Sequence, residues 1–176
     1  MARTYLRHPT RHVQKALEDR VKATLDEAGW FADPAPWGTP PVSFHDVRIA
    51  NESRVRVEGS MVAVSFGDST SDFPEELGGG LIRINYIFLV DVITDRSAVT
   101  AAIVDDIRDN LSGRRASPML SLMDYGLTPP EPLVGWSAEL QNVGIQKSDP
   151  FEAKRHWTTL GGVVEVTLPA DGQYGE

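Results

Sequence analysis

Apolar residues recur at Val13, Ala16, Leu17, Val21, Leu25 and Ala28, spacings of three and four that line up on one stripe of a helix. Thr10 is a residue type that caps helix N-termini, and Gly29 can take the left-handed conformation that closes a C-terminus. Trp30 and Phe31 then follow as large apolar groups suited to cover that end. Pro34, Pro36, Pro40 and Pro41 deny both helix and ladder pairing to the next segment, which reads as an irregular connector.

Strand-like alternation begins over 42–50 and 55–58, and 61–66 predicts a further strand with Val62, Val64 and Phe66 on one face. A long polar stretch occupies 67–80, with Phe73 in its middle and Gly78-Gly79-Gly80 leading into the next strand. That strand, over 81–93, has the clearest pattern in the chain. Ile82, Ile84, Tyr86, Phe88, Val90 and Val92 share one face, while Arg83, Asn85 and Asp91 lie on the other. Ile87 and Leu89 interrupt the polarity of the second face, so the strand centre is apolar on both sides and must be covered on both.

Ser97 is placed to cap a second helix over 98–111, with Val99, Ala102, Ile103, Ile107 and Leu111 inward, Asp105, Asp106 and Asp109 on or beside the outer face, and Gly113 at its end. A second long loop, 112–135, holds Pro118, Pro129, Pro130 and Pro132. Two closing strands, 136–146 and 156–168, flank a turn at Ser148-Asp149-Pro150. Helix, strands, helix, strands in this order predicts an α+β fold, a mostly antiparallel sheet with two main helices packed on it. The 176 residues suit a single domain spanning 1–176, with flexible ends at 1–9 and 169–176.

Charge narrows the function. The formal net charge is −8 and there is no cysteine, which argues against a basic phosphate-reading surface and removes disulfides and thiolate chemistry. An acidic wall is compatible with DNA sliding past it. No stretch approaches the ~20 apolar residues that span a bilayer. The triple glycine leads into a strand, not the helix N-terminus a phosphate cradle needs. His8 and His12 are separated by Pro9 and Thr10 and read as surface residues, while His45-Asp46 has no serine in a nucleophile-elbow setting. Asp105 and Asp109 could hold a divalent cation, form a solvated helix face, or meet Arg114, Arg115 or Arg155 of a neighbouring copy. No cofactor, metal site or catalytic residue is assigned.

The stretch 62–67, then Glu75-Glu76-Leu77-Gly78-Gly79-Gly80, then the strand 84–92 with Asp91-Val92 at its end and a helix after it, resembles the tail-terminator and neck (head-tail joining) proteins of long-tailed bacteriophages. The closing run from His156 to Val166 fits the same order of elements. The resemblance spans residues 10–168 and rests on pattern; the two long loops exceed the compact members of that family. It implies a structural protein and not an enzyme: a homo-oligomer, six-fold in most such rings, capping the tail tube at its head-proximal end. Its partners would be the tail tube protein and a head-side connector or stopper, with DNA passing through the ring. It would be made in the host cytoplasm and reside in the tail or neck of the virion. Ring subunits join through two different patches, and the expected protein-protein interface takes Ile87 and Leu89 for subunit packing, Phe73 and Leu77 for a docking loop, and Asp105, Asp109, Arg114 and Arg115 as charged contacts. In the alternative packing, the helices take opposite faces of the sheet and bury Ile87 and Leu89. Alternative functions are another neck component such as a stopper or adaptor, a small metal-dependent hydrolase using His45, Asp46 and the helix aspartates, or a ligand-binding module built on Trp30, Phe31, Trp37 and Trp136.

Overall fold

A computed structural model of the chain describes residues 9–45, 59–69, 75–113, 119–151 and 155–170. Helix α1 (Pro9–Glu27) precedes strands β1 (Ser43–His45), β2 (Met61–Ser69), β3 (Glu75–Glu76) and β4 (Leu81–Thr94); helix α2 (Ser97–Leu111), the short strands β5 (Met123–Asp124) and β6 (Glu131–Pro132), and the long strands β7 (Ser137–Phe151) and β8 (Arg155–Pro169) follow. The main sheet runs β1-β2-β4-β8-β7, with β3 also paired to β4, and β5 and β6 form a separate two-stranded ribbon. All pairings are antiparallel except β1 with β2. The fold is α+β, as the pattern predicts. The predicted strands over 46–50 and 55–58 fall outside the described residues.

β4 lies at the centre, hydrogen-bonded to β2 on one side and along its whole length to β8 on the other. Its even-numbered residues from Ile82 to Val92 are all buried and join Val62, Val64, Leu160, Val164, Val166, Ala138 and Leu140 in one core. The apolar stripes of both helices, Val13, Leu17, Val21 and Leu25 from α1 and Val99, Ile103, Ile107 and Leu111 from α2, enter that same core. Both helices therefore cover one face of the sheet, and the arrangement that would place them on opposite faces is ruled out.

The helix ends show how local chemistry sets this geometry. Gly29 has φ +79°, and the Trp30 and Gly29 amides donate to the carbonyls of Leu25 (2.8 Å) and Asp26 (2.9 Å). This closure pairs the last free carbonyls and turns Trp30 inward. At the other end α1 opens at Pro9, one residue ahead of the expected Thr10 cap; proline's fixed φ suits a first helical turn that needs no amide donor. Arg96, not Ser97, is the extended residue before α2. The buried Thr94 hydroxyl organises that entry instead, bonding the Arg96 carbonyl (2.8 Å) and the Thr100 hydroxyl (2.8 Å). Across the helix pair, the Arg20 guanidinium donates to Asn110 Oδ1 (2.8 Å), the Asn110 carbonyl (3.1 Å) and the Met119 carbonyl (2.6 Å). A cation on the last turn of α2 satisfies acceptors the helix itself leaves open.

The two long loops are partly structured. β2 continues to Ser69, and Glu75–Glu76 pairs with Arg83 and Ile82 across a turn in which Gly78, Gly79 and Gly80 all have positive φ (51°, 68° and 74°). Three consecutive left-handed residues explain the glycine run, since an L side chain is strained in that region. Within 112–135, β5 and β6 pair. The expected turn at Ser148-Asp149-Pro150 is strand instead, Pro150 lying opposite His156. β7 lies at the edge of the sheet, where alternate amides point away from the neighbouring strand and proline is tolerated.

Candidate assembly surface

Among the described residues no helix lies on the second face of the sheet, and its side chains form successive rows across β7, β8, β4 and β2. At one end Arg83 aligns with Thr167 and Glu75, and the next row holds Asn85, Glu165 and Glu139. Arg83 reaches Glu75 at 3.5 Å and Glu165 at 3.6 Å. The middle rows are Ile87 with Val163 and Gln141, then Leu89 with Gly161, Gly144 and Ser65. Ile87 is 40% exposed, whereas Leu89 is half-buried. A Cβ built on Gly161 would lie 2.6 Å from Gln146 Cγ and 3.1 Å from Leu89 Cδ2, so the glycine forms a notch that the Gln146 stem and Leu89 share while Ile87 stands beside it.

Beyond Leu89 this face closes over. Met61, Ala63, Ile93 and Trp157 form a small buried cluster. Next to it Asp91 is fully buried. Its Oδ1 accepts from Trp157 Nε1 (2.9 Å) and from the Thr159 hydroxyl (2.6 Å), and Lys147 Nζ sits 5.1 Å above the Trp157 ring. Alternation places Asp91 among the outward polar positions of β4, and nothing in its local sequence announces its burial; the only hint is the Trp-x-Thr run of β8 that supplies both donors.

No protein-family model and no curated protein matches this sequence. A solved structure does. The fold resembles one chain of a structure described as "Virion of native gene transfer agent (GTA) particle", with TM-score 0.50 and 14% identity, over 92% of this chain and 99% of that one. At that identity the likeness is one of fold.

The remaining expected contact residues scatter. Leu77 is half-buried at the β3–β4 turn, and Phe73, Arg114 and Arg115 fall outside the described residues. Asp105 and Asp109 lie on α2, in the helix layer on the other side of the sheet from Ile87 and Leu89. Asp105 is already paired with Arg108 at 2.6 Å, and Asp106 accepts from Trp30 Nε1 at 2.8 Å. Among the described residues no cluster of three or more His, Asp or Glu side chains is placed to hold a metal ion, and no helix is long and apolar enough to cross a membrane. His45 is exposed on β1, and Asp46 falls outside the described residues. Of the aromatics weighed as a binding site, Trp30 and Trp136 are buried and Phe31 packs on the core, while Trp37 stands 61% exposed with its ring edge-on to Trp30.

His12 corrects an expectation. It is not a surface residue but 1% exposed, one turn before Ala16 on the apolar stripe and covered by the loop that carries β5 and β6. The Tyr125 ring stacks on it, and Trp136 meets it edge-on at 6.1 Å. Tyr125 also donates its hydroxyl to Asp19 Oδ2 (2.8 Å). Burial, reinforced by that bond and by the nearby charges of Asp19 and Glu18, pushes the Tyr125 phenol above its ordinary range.

Proposed function

We propose that the chain is a structural, non-enzymatic subunit of a virion or virus-like particle, a tail terminator whose copies close into a ring at the head-proximal end of the tail tube and join it to the head-side connector. The observation that carries this reading is the face of the sheet that no helix among the described residues covers. It places Ile87 in solvent, at 40% exposure, beside Val163 and the Leu89–Gly161 notch, between a polar row and a buried one. An isolated subunit gains nothing from an apolar row there, whereas a second copy covering it would remove that area from water. Similarity of fold over nearly the whole length of a chain from a gene transfer agent virion supports the same class of function. The net charge of −8 suits a ring through which DNA slides without adhering.

Light-scattering mass and negative-stain electron microscopy of the purified chain test the proposal. Closed rings of uniform diameter, six-fold by the family resemblance, are expected, and Ile87→Asp should return them to folded monomers. Because Ile87 is half in solvent already, that change should alter subunit stability by no more than about 1 kcal/mol. A chain that remains monomeric from micromolar to millimolar concentration, alone and with its tail tube protein, overturns the reading.

A further inference from the structure

A buried histidine joins α1 to the loop that carries β5 and β6, and the join depends on which of its nitrogens holds a proton. His12 Nδ1 accepts the backbone N–H of Tyr125 at 3.2 Å. A ring nitrogen that accepts carries no proton, so the neutral imidazole has its hydrogen on Nε2. Nε2 faces Asp124 Oδ1 at 3.9 Å, outside hydrogen-bond range, and that same oxygen accepts the Gly126 amide at 3.0 Å. The Asp124 side chain is itself nearly buried.

We propose that His12 is a proton-operated latch: neutral, it pins the 119–136 segment to α1 through the Tyr125 amide; protonated, it gives up that bond for an ion pair with Asp124. The chemistry forces the exchange. Adding a proton at Nδ1 sets two donors head to head across 3.2 Å, and the Tyr125 amide loses the acceptor it has in the neutral state. The new positive charge is drawn to the Asp124 carboxylate in a poorly hydrated site, where the attraction is far stronger than in water. Tyr125 and Trp136 pack against this site, with Lys15, Glu18 and Asp19 farther along α1. The Tyr125–Asp19 bond needs no change in His12 protonation, and Asp124 belongs to the same segment, so the segment stays attached and what is released is the Tyr125 amide. What the latch positions is the ribbon between β5 and β6 and the residues after it, where Leu127 (45%) and Val134 (89%) are exposed. Mild acid would therefore free the Tyr125 amide and re-seat this segment on α1 through Asp124, without detaching it or unfolding the sheet.

The latch is tested on the full chain by two measurements. Long-range nitrogen-proton NMR reads the tautomer and titration of His12, and hydrogen exchange reads the protection factor of the Tyr125 amide at pH 7.5 and pH 5.0. The expected result is an Nε2–H tautomer at pH 7.5 and a fall of at least tenfold in Tyr125 protection, following the His12 titration, while amides of β4 keep theirs. His12→Asn, which retains an acceptor near Nδ1 but cannot ionise, should make the protection independent of pH. An Nδ1–H tautomer, a His12 that stays neutral to pH 5.0, or undiminished Tyr125 protection once His12 is charged would each overturn the proposal. The first two readouts need no variant.

Discussion

Gly162 faces the helix side of β8, opposite Phe88 of β4, and a methyl group there has nowhere to go. A Cβ on Gly162 would stand 2.8 Å from both Phe88 Cε1 and Cζ and 2.9 Å from the Gln141 carbonyl oxygen. Phe88 is fully buried, so the ring cannot swing into solvent, and the third contact is backbone. Overpacking of this kind costs about 1–3 kcal/mol. The smaller entropy of an alanine-containing unfolded chain offsets roughly 0.4–1 kcal/mol of that. The backbone contact puts the overpacking cost in the upper half of that range, so Gly162→Ala should destabilise the subunit by about 1–2.5 kcal/mol, which for a protein of this size lowers the melting temperature by roughly 2–10 °C. Phe88→Leu alone should cost about 1–2 kcal/mol through the cavity it leaves. Combined, the two should cost less than their separate effects by at least about 0.5 kcal/mol, because leucine vacates the space the new methyl needs. Rescue stays incomplete because the Gln141 carbonyl does not move aside. Urea unfolding followed by circular dichroism, at one fixed protein concentration so that assembly does not enter the comparison, measures all three. A Gly162→Ala protein as stable as the parent, or strictly additive effects, would refute the account of this glycine as a socket for Phe88.

Other consequences follow from individual contacts. Arg20→Met keeps the aliphatic stem but removes the donors to Asn110 and Met119; unfolding midpoints should show a loss of about 1.5–3 kcal/mol, and a neutral result would mean that the α1–α2 bridge is unimportant. Asp91→Ala leaves the Trp157 and Thr159 donors unpaired in a buried site and should cost several kcal/mol, on the order of 3. Asp91→Asn keeps an acceptor and should cost distinctly less; equal losses for the two would contradict the hydrogen-bonding role. The Tyr125 phenol is held protonated above its ordinary range, so above about pH 10 the unfolded chain sheds a proton that the native state keeps, and stability falls as pH rises. Tyr125→Phe should flatten that alkaline limb in a pH series of melting curves, and an unchanged slope would show that the phenol is not coupled to folding.

Period alone made much of this fold legible. The three-and-four spacing of Val13 to Leu25 and the alternation of Ile82 to Val92 both appear as buried stripes, because each element meets a single apolar layer and its pattern records that layer. Where a residue's setting depends on a distant segment, the local pattern is silent. His12 looks like a polar residue near a helix start, yet it is buried by Tyr125 and Trp136, more than a hundred residues away in the chain. Ser148-Asp149-Pro150 has turn composition, but its place on an edge strand is settled by pairing with β8. Arg96 takes the capping position in place of Ser97 because Thr94, from the end of β4, already serves that turn.

The same limit shapes the assembly surface, and there it sharpens the expectation. Ile87, Leu89 and Ile93 occupy equivalent odd positions of β4, and alternation treats them alike. In the folded chain they have three different fates. Ile93 is sealed beside Met61, Ala63 and Trp157, Leu89 leans over Gly161, and Ile87 alone among them is exposed at 40%. A charge at each should therefore separate folding from assembly in graded fashion. Ile93→Asp should unfold the subunit, since burying a lone carboxylate there costs far more than one substitution site can bear. Leu89→Asp should both weaken the fold and impair association, and Ile87→Asp should act on association only. Melting temperature and particle mass measured on the three variants give that order or fail to. If Ile87→Asp destabilised the monomer as much as Ile93→Asp, the helix-free face would be core and not a surface for a neighbouring copy.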